Sequence, residues 1–203
     1  MARYTGPKSR ISRRYGVALF GPSKALERKN YPPGMHGPKG SRRKRSDYSV
    51  ALAEKQKLRF QYGLMERQFR RYFETALRKR GVTGETLLQM LETRLDNVVY
   101  RLGFANSRNA ARQMVSHGHV AVNNRKVNVS SFNLRAGDVV TVKDRPASRR
   151  LAARNLELTQ IQPIPDWLVV DKDQFQGKVV RVPTREEIAP IVNEQLVVEL
   201  YSR

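Results

Sequence analysis

Residues 107–128 read SRNAARQMVSHGHVAVNNRKVN, and this stretch holds a helix, its terminator and a hairpin. Ser107 suits a helix N-cap, because its hydroxyl can accept a hydrogen bond from an otherwise unpaired amide. Arg108 and Arg112 are four apart and project from one side, leaving Ala110, Ala111, Met114 and Val115 to pack. Gly118 follows as the left-handed residue after the last turn. From there the period drops to two. Val120 and Val122 face one way, Val127 and Val129 do the same on the return, and Asn123-Asn124 makes the turn, since asparagine tolerates positive φ. A third strand is expected over Val139–Val142, behind Ala136-Gly137-Asp138.

Working upstream, Leu95, Val98, Val99 and Leu102 form the apolar stripe of a helix ending at Gly103, with Arg94, Asn97 and Arg101 on another face. A short helix, Glu85–Thr93, precedes it. Leu58, Tyr62, Met65, Phe69 and Phe73 recur at steps of four and three and predict one amphipathic helix, weakened at Gly63 and closed by Gly81 and Gly84. Arg67, Arg70, Arg71 and Arg78 lie off that stripe. Downstream, short β runs at Trp167–Val170 and Lys178–Val182 alternate with proline-bounded loops, and the apolar tail Gln195–Tyr201 suits docking on a core. The fold class expected is α+β: a mainly helical first domain, a compact two-helix domain with a small antiparallel sheet, and an extended basic N-terminal arm.

The 203 residues carry 39 Lys and Arg against 18 Asp and Glu, a formal charge of +21. Such a surface repels itself until a polyanion neutralises it, so nucleic acid is the first partner class and an anionic membrane surface the second. The excess is concentrated. Positions 1–45 hold 13 basic residues and a single acid, Glu27, with Pro-Pro-Gly at 32–34. Little core can form there, and the segment reads as an arm ordered by phosphate contacts or, alternatively, as a solvated tail. There is no cysteine, which excludes disulfides and thiolate metal sites. No apolar run approaches the roughly 18 residues of a membrane span, and no signal-peptide core is visible, so an intracellular soluble protein is expected.

Two of the three histidines, His117 and His119, flank Gly118. Zinc takes about four ligands, and His36 lies far away in a Pro-Gly loop, so no metal or other cofactor is expected. Neither a nucleophile–base arrangement nor a phosphate-cradling glycine loop is present, which argues against an enzyme. Glu92 and Asp96 sit among arginines and read as ion-pair partners of Arg94 or Arg101. What remains is a capped helix with arginines and a basic hairpin tip, a surface suited to a phosphate backbone. The histidines either hydrogen-bond ribose and loop bases there or are plain core or surface residues.

Ser107-Arg108, Ala111-Arg112-Gln113, His117-Gly118-His119-Val120 and Val122-Asn123 resemble the RNA-binding module named after ribosomal small-subunit protein four. The likeness extends through Glu54-Lys-Gln-Lys-Leu-Arg59, Tyr62-Gly63, Gln68-Phe-Arg70, Tyr72-Phe73, Leu95-Asp-Asn-Val-Val-Tyr-Arg-Leu-Gly-Phe104 and Asn193-Glu-Gln-Leu, from Met1-Ala-Arg-Tyr4 to Tyr201-Ser-Arg203. The whole chain therefore resembles the bacterial family of that protein. The resemblance implies a structural, non-enzymatic constituent of the small ribosomal subunit that binds the 5′ domain of its rRNA and nucleates assembly. It also implies contact with small-subunit protein five, a part in decoding accuracy, and proximity to mRNA where it enters the subunit. A homo-oligomer and a membrane role are not implied; the location is cytoplasmic, or a plastid ribosome. Rivals are an RNA-modifying enzyme and a free-standing RNA chaperone with the same module.

Two departures stand out. Many relatives carry a zinc-binding cysteine cluster in the arm, where this chain has Ser9, Ser12 and Gly16, and the hairpin turn is usually Asn-Gly. The resemblance assigns RNA contact to Arg94, Arg101, Ser107, Arg108, Arg112, Gln113, His117, His119 and Lys126. In the arm and first helices the basic candidates are Arg3, Arg10, Arg13, Arg14, Arg42, Arg43, Lys44, Arg45, Arg67, Arg70 and Arg71. The organisation expected is an arm over 1–45, a helical domain over 46–90 completed by 184–203, and a second domain over 91–183 with the module at about 94–155.

Overall fold

A computed structural model describes residues 4–38, 46–161, 163–188 and 190–202. The chain forms two compact units, Met1–Gly84 with Pro190–Arg203, and Glu85–Ala189. Where an extended arm is expected, the described residues form helices α1 (Lys8–Tyr15) and α2 (Lys24–Arg28), and Ile11 and Leu19 are buried. The cause lies partly in Arg13. Its Nε donates to the carbonyls of Lys29 and Tyr31, both at 3.2 Å, and its guanidinium covers the Tyr31 ring, tying loop to helix.

The single helix expected from Leu58 to Phe73 is two, α3 (Asp47–Gln61) and α4 (Glu66–Arg78). Gly63, at φ 64°, ends α3: its N–H donates to Phe60 O, and the Leu64 N–H donates to Arg59 O. This paired arrangement satisfies two terminal carbonyls and buries Leu64, so the apolar stripe continues past a real break. Ser46 caps α3 by accepting from the Ser49 N–H.

The boundary falls in the first turn of α5 (Thr83–Glu92), and the second unit continues with α6 (Leu95–Arg101) and α7 (Arg108–Ser116). The Ser107 hydroxyl accepts from the Ala110 N–H, and Gly118 (φ 72°) closes α7 as its sequence position predicts, with His119 N donating to Met114 O. The hairpin β1 (Val120–Val122) and β2 (Arg125–Lys126) turns at Asn123 and Asn124, both at positive φ. The returning strand is shorter than the alternation suggests, and Val129 is 53% exposed rather than packed. The reason is upstream: Phe132 O and Ser130 O accept from the N–H groups of Leu95 and Asp96, so this segment caps the start of α6 instead of extending the sheet.

Strand β3 (Val139–Val142) follows, then α8 (Pro146–Thr159), β4 (Leu168–Asp171), β5 (Gln176–Val179) and α9 (Arg185–Ile188). The three-strand sheet expected is a five-stranded antiparallel one, ordered β2-β1-β3-β5-β4. Val140 sits opposite both Val122 and Gly177. Leu95, Val98, Leu102, Phe104, Val115, Val120, Val140, Ala152 and Trp167 form one core between sheet and helices. Finally α10 (Glu194–Ser202) returns to the first unit and packs on α3, with Tyr201 stacked on Phe73 at 4.7 Å.

Candidate nucleic-acid interface

Helices α6 and α7 bring the candidate arginines together through two acids. Glu92 is 1% exposed, and Arg101 grips it at two points, Nη2 to Oε1 at 2.9 Å and Nε to Oε2 at 3.2 Å. Asn97 Nδ2 also donates to Glu92 Oε2, at 2.6 Å, while its Oδ1 accepts from Arg108 Nε at 2.8 Å. The Arg108 guanidinium lies 4.7 Å over the Tyr100 ring. A buried carboxylate thus fixes one arginine directly and a second through an amide. That rigidity lowers the rotamer entropy that any further contact of either side chain would cost.

The other acid draws two of the candidates inside. Arg94 is 1% exposed and pairs at two points with Asp96, Nε to Oδ1 at 3.0 Å and Nη2 to Oδ2 at 2.7 Å. Arg112 is likewise buried; its Nε lies 3.7 Å from Asp96 Oδ2 and donates to Ser130 Oγ. Each guanidinium is held inside against a carboxylate and exposes almost no surface, so both hold the module together. The pairings read for Glu92 and Asp96 are present, but with Arg112 added.

Gln113 and His117 are exposed on the outer side of α7, and His119 is half-buried with Nδ1 2.9 Å from Ser148 Oγ. With Asn106, Leu151, Arg154 and Leu158 they line a groove of about 380 Å³ between α7 and α8. Lys126 stands over Gly118, where an added Cβ would meet its Cε at 2.8 Å. Lys143 and Arg145 complete this cluster. Desolvation first, then Lys126 and Arg145, push the Lys143 ammonium below its ordinary value. Desolvation, then His117 and Arg145, lower His119. Among the described residues, no carboxylate pairs with Arg125, Lys126, Lys143 or Arg145, and Asp144 pairs with Arg149 instead.

Sequence reasoning missed Lys143, Arg145, Arg150 and Arg154; the pair Arg149-Arg150 followed by Arg154 was the available signal. In the first unit Arg67, Arg70 and Arg71 are exposed on α4, with Arg70 shared by Glu74 at 3.2 Å. Arg10 and Arg14 are exposed on α1, whereas Arg13 is spent on loop carbonyls. Arg3, Arg42, Arg43, Lys44 and Arg45 lie outside the described residues. No group of metal-ligating side chains occurs among the described residues, and no described helix is long and apolar enough to cross a membrane.

Comparison with known proteins gives matches along the chain. Residues 3–92 match the Ribosomal protein S4/S9 N-terminal domain, and residues 93–140 match the S4 domain. A protein of Akkermansia muciniphila named small ribosomal subunit protein uS4 is 61% identical over 203 residues, covering all of both chains. One of the same name from Opitutus terrae is 59% identical, again over the full length of both. Its namesake in Thermus thermophilus is 51% identical over 210 aligned positions, with both chains fully covered.

Proposed function

The chain belongs to the family of small ribosomal subunit protein uS4, and on that premise we propose that it is a structural constituent of the small subunit, a cationic clamp on ribosomal RNA. The observation that carries the proposal is the cationic cluster of His117, His119, Lys126, Lys143 and Arg145 at the C-terminal end of α7, with the rigid Arg108 at its other end. Desolvation first, and then mutual repulsion, depress His119 and Lys143, and phosphates would relieve the repulsion. The first unit carries exposed arginines of its own on α1 and α4. Phosphate contacts of this kind hold RNA without reading its sequence, which suits a scaffold that fixes RNA helices at a junction. The RNA-modifying alternative is disfavoured, because relatives matched end to end are named as ribosomal proteins.

The finer assignment follows the resemblance. The RNA is the 5′ domain of small-subunit rRNA, bound early in assembly. Small-subunit protein five is a neighbour, mRNA passes close by, and that interface affects decoding accuracy. The test is equilibrium binding of the full chain to a 5′-domain transcript against a length-matched unrelated RNA, across a salt series. Tight binding that survives competitor is expected. Its logarithm should fall linearly with log salt, by roughly 0.7–0.9 per phosphate contact. Replacing Arg42, Arg43, Lys44 and Arg45 by Gln should flatten that slope. Equal affinity for both RNAs would reduce the protein to a non-specific phosphate binder.

A further inference from the structure

The first unit contains two adjoining cavities, of about 500 and 560 Å³, that share Arg14, Tyr15, Pro32 and Phe60 as walls. Both volumes lie within the range of small-ligand pockets, about 300–1,000 Å³. Their chemistry is unlike that of a packing defect. Phe60 is only half-buried and gathers the rings of Tyr4 at 5.4 Å and Tyr15 at 6.5 Å, with the Arg59 guanidinium 4.4 Å over its face. Gln56 and Arg59 line the first of the two, beside Ser49. Gln56 Oε1 and Arg59 Nε are buried without a hydrogen-bond partner, the nearest carboxylate oxygen to the latter being Glu66 Oε2 at 3.9 Å. Both atoms are shielded as the wall stands, and unpaired polar atoms are rare and costly, so a side-chain turn that presents them to an entering group is favoured.

The charge around the cavities narrows the class of ligand. Arg10, Arg14 and Arg59 line them, no described lining residue is acidic, and the sequence has no acid between Glu27 and Asp47. A cationic side chain is therefore repelled. An apolar one would leave Gln56 Oε1 and Arg59 Nε unpaired. A bare phosphate would make no use of the rings. A flat, hydrogen-bonding group tethered to an anion satisfies all three features, and an unstacked base on an RNA strand is such a group.

We propose that the Phe60 cavity captures an unpaired nucleobase of the bound RNA, with the base against Phe60 and Tyr15 and its phosphate on Arg10 and Arg14. This rests on the RNA-scaffold reading above and adds base capture to phosphate contact. It also gives the half-exposed Phe60 and Tyr15 a task that packing does not.

The test uses the full chain, the 5′-domain transcript and two variants, Phe60→Leu and Tyr15→Leu, with melting curves alongside. Each variant should lose about tenfold in affinity, the scale of one base–aromatic stack. The salt slope should stay at the wild-type value, since no phosphate contact is removed. Ultraviolet crosslinking of the wild-type complex should join a base to the peptide carrying Tyr15 or Phe60, a readout that needs no variant to fold. If the wild type binds the transcript specifically, yet neither peptide crosslinks and both variants bind as tightly, the cavity proposal is overturned and the RNA reading stands. If the wild type does not prefer the transcript, the RNA reading itself fails and takes the cavity with it.

Discussion

Arg101 and Glu92 are joined by a two-point ion pair whose two ends lie in different environments: the carboxylate side chain is 1% exposed and the arginine 27%. The asymmetry predicts unequal mutants. Arg101→Ala takes a two-point cationic partner from a buried carboxylate, and should cost about 3 kcal/mol or more in urea unfolding. Glu92→Gln leaves a half-exposed guanidinium that water can serve, and should cost less. It should still weaken RNA binding, because Arg101 and, through Asn97, Arg108 are no longer held in place. Equal stability losses would show that the acid is not the element under strain.

Arg108 and Arg112 look equivalent in sequence and are not. Arg108 reaches out over Tyr100, so Arg108→Ala should weaken binding to the 5′-domain transcript by about 1 kcal/mol or more with little change in melting. Arg112→Ala removes a cation from beside Asp96 in the core, and should lower stability by roughly 2 kcal/mol first. Binding and calorimetry on both variants separate the roles. A wild-type affinity for Arg108→Ala would remove α7 from the interface.

His119 sits lower than an ordinary imidazole because of desolvation, then the charges of His117 and Arg145. Lys126 and Lys143 add to the cationic cluster, and Ser148 contacts its Nδ1. In the free protein the unfolded chain binds this proton more readily. Stability from His119 is therefore full above the ordinary value of 6.5 and is lost as pH falls through 6.5 to the lowered folded value. RNA phosphate reverses the sign by favouring the charged ring. Affinity should rise as pH falls from about 7.5 to 6, by at most about tenfold per unit for one proton. His119→Gln should flatten most of that rise. A wild-type affinity independent of pH would place His119 away from phosphate.

These distinctions mark how far the sequence can be read. The capped helix α7, its Gly118 terminator and the Asn123-Asn124 turn depend on neighbours within a few residues, and all are legible. The edges of β4 and β5 are legible to within three residues, but the pairing of β5 with β3 is long-range and leaves no local mark. Helix α8 escapes notice because its buried positions, Ser148, Ala152, Asn155 and Thr159, are small or polar and give no apolar stripe. The burial of Arg94 and Arg112 depends on Asp96 and on Ser130, brought up by a segment that alternation alone would have continued as a strand. Spacing says which side chains share a face. It does not say which face a distant carboxylate will cover.

The last turn of the chain supplies a different kind of test. The Tyr201 hydroxyl donates to Glu66 Oε1 at 2.8 Å, the same oxygen that Lys55 Nζ reaches at 2.8 Å, and the ring stacks on Phe73. Burial alone would raise the Glu66 carboxyl, but the hydrogen bonds from Lys55 and Tyr201 and the charges of Lys55 and Arg59 outweigh it and hold the group below its usual value. Tyr201→Phe keeps the stack and removes one donor, so it should cost about 1 kcal/mol near neutral pH. Tyr201→Ala also removes the stack and should cost roughly 2 kcal/mol or more. A depressed acid stabilises the fold above its unfolded value and loses that contribution as pH falls through the folded one. The deficit of Tyr201→Phe should accordingly shrink as urea melts are taken from neutral pH to below 4.5, the ordinary glutamate value. A deficit that stays constant over that range would mean the hydroxyl acts through packing, not through Glu66.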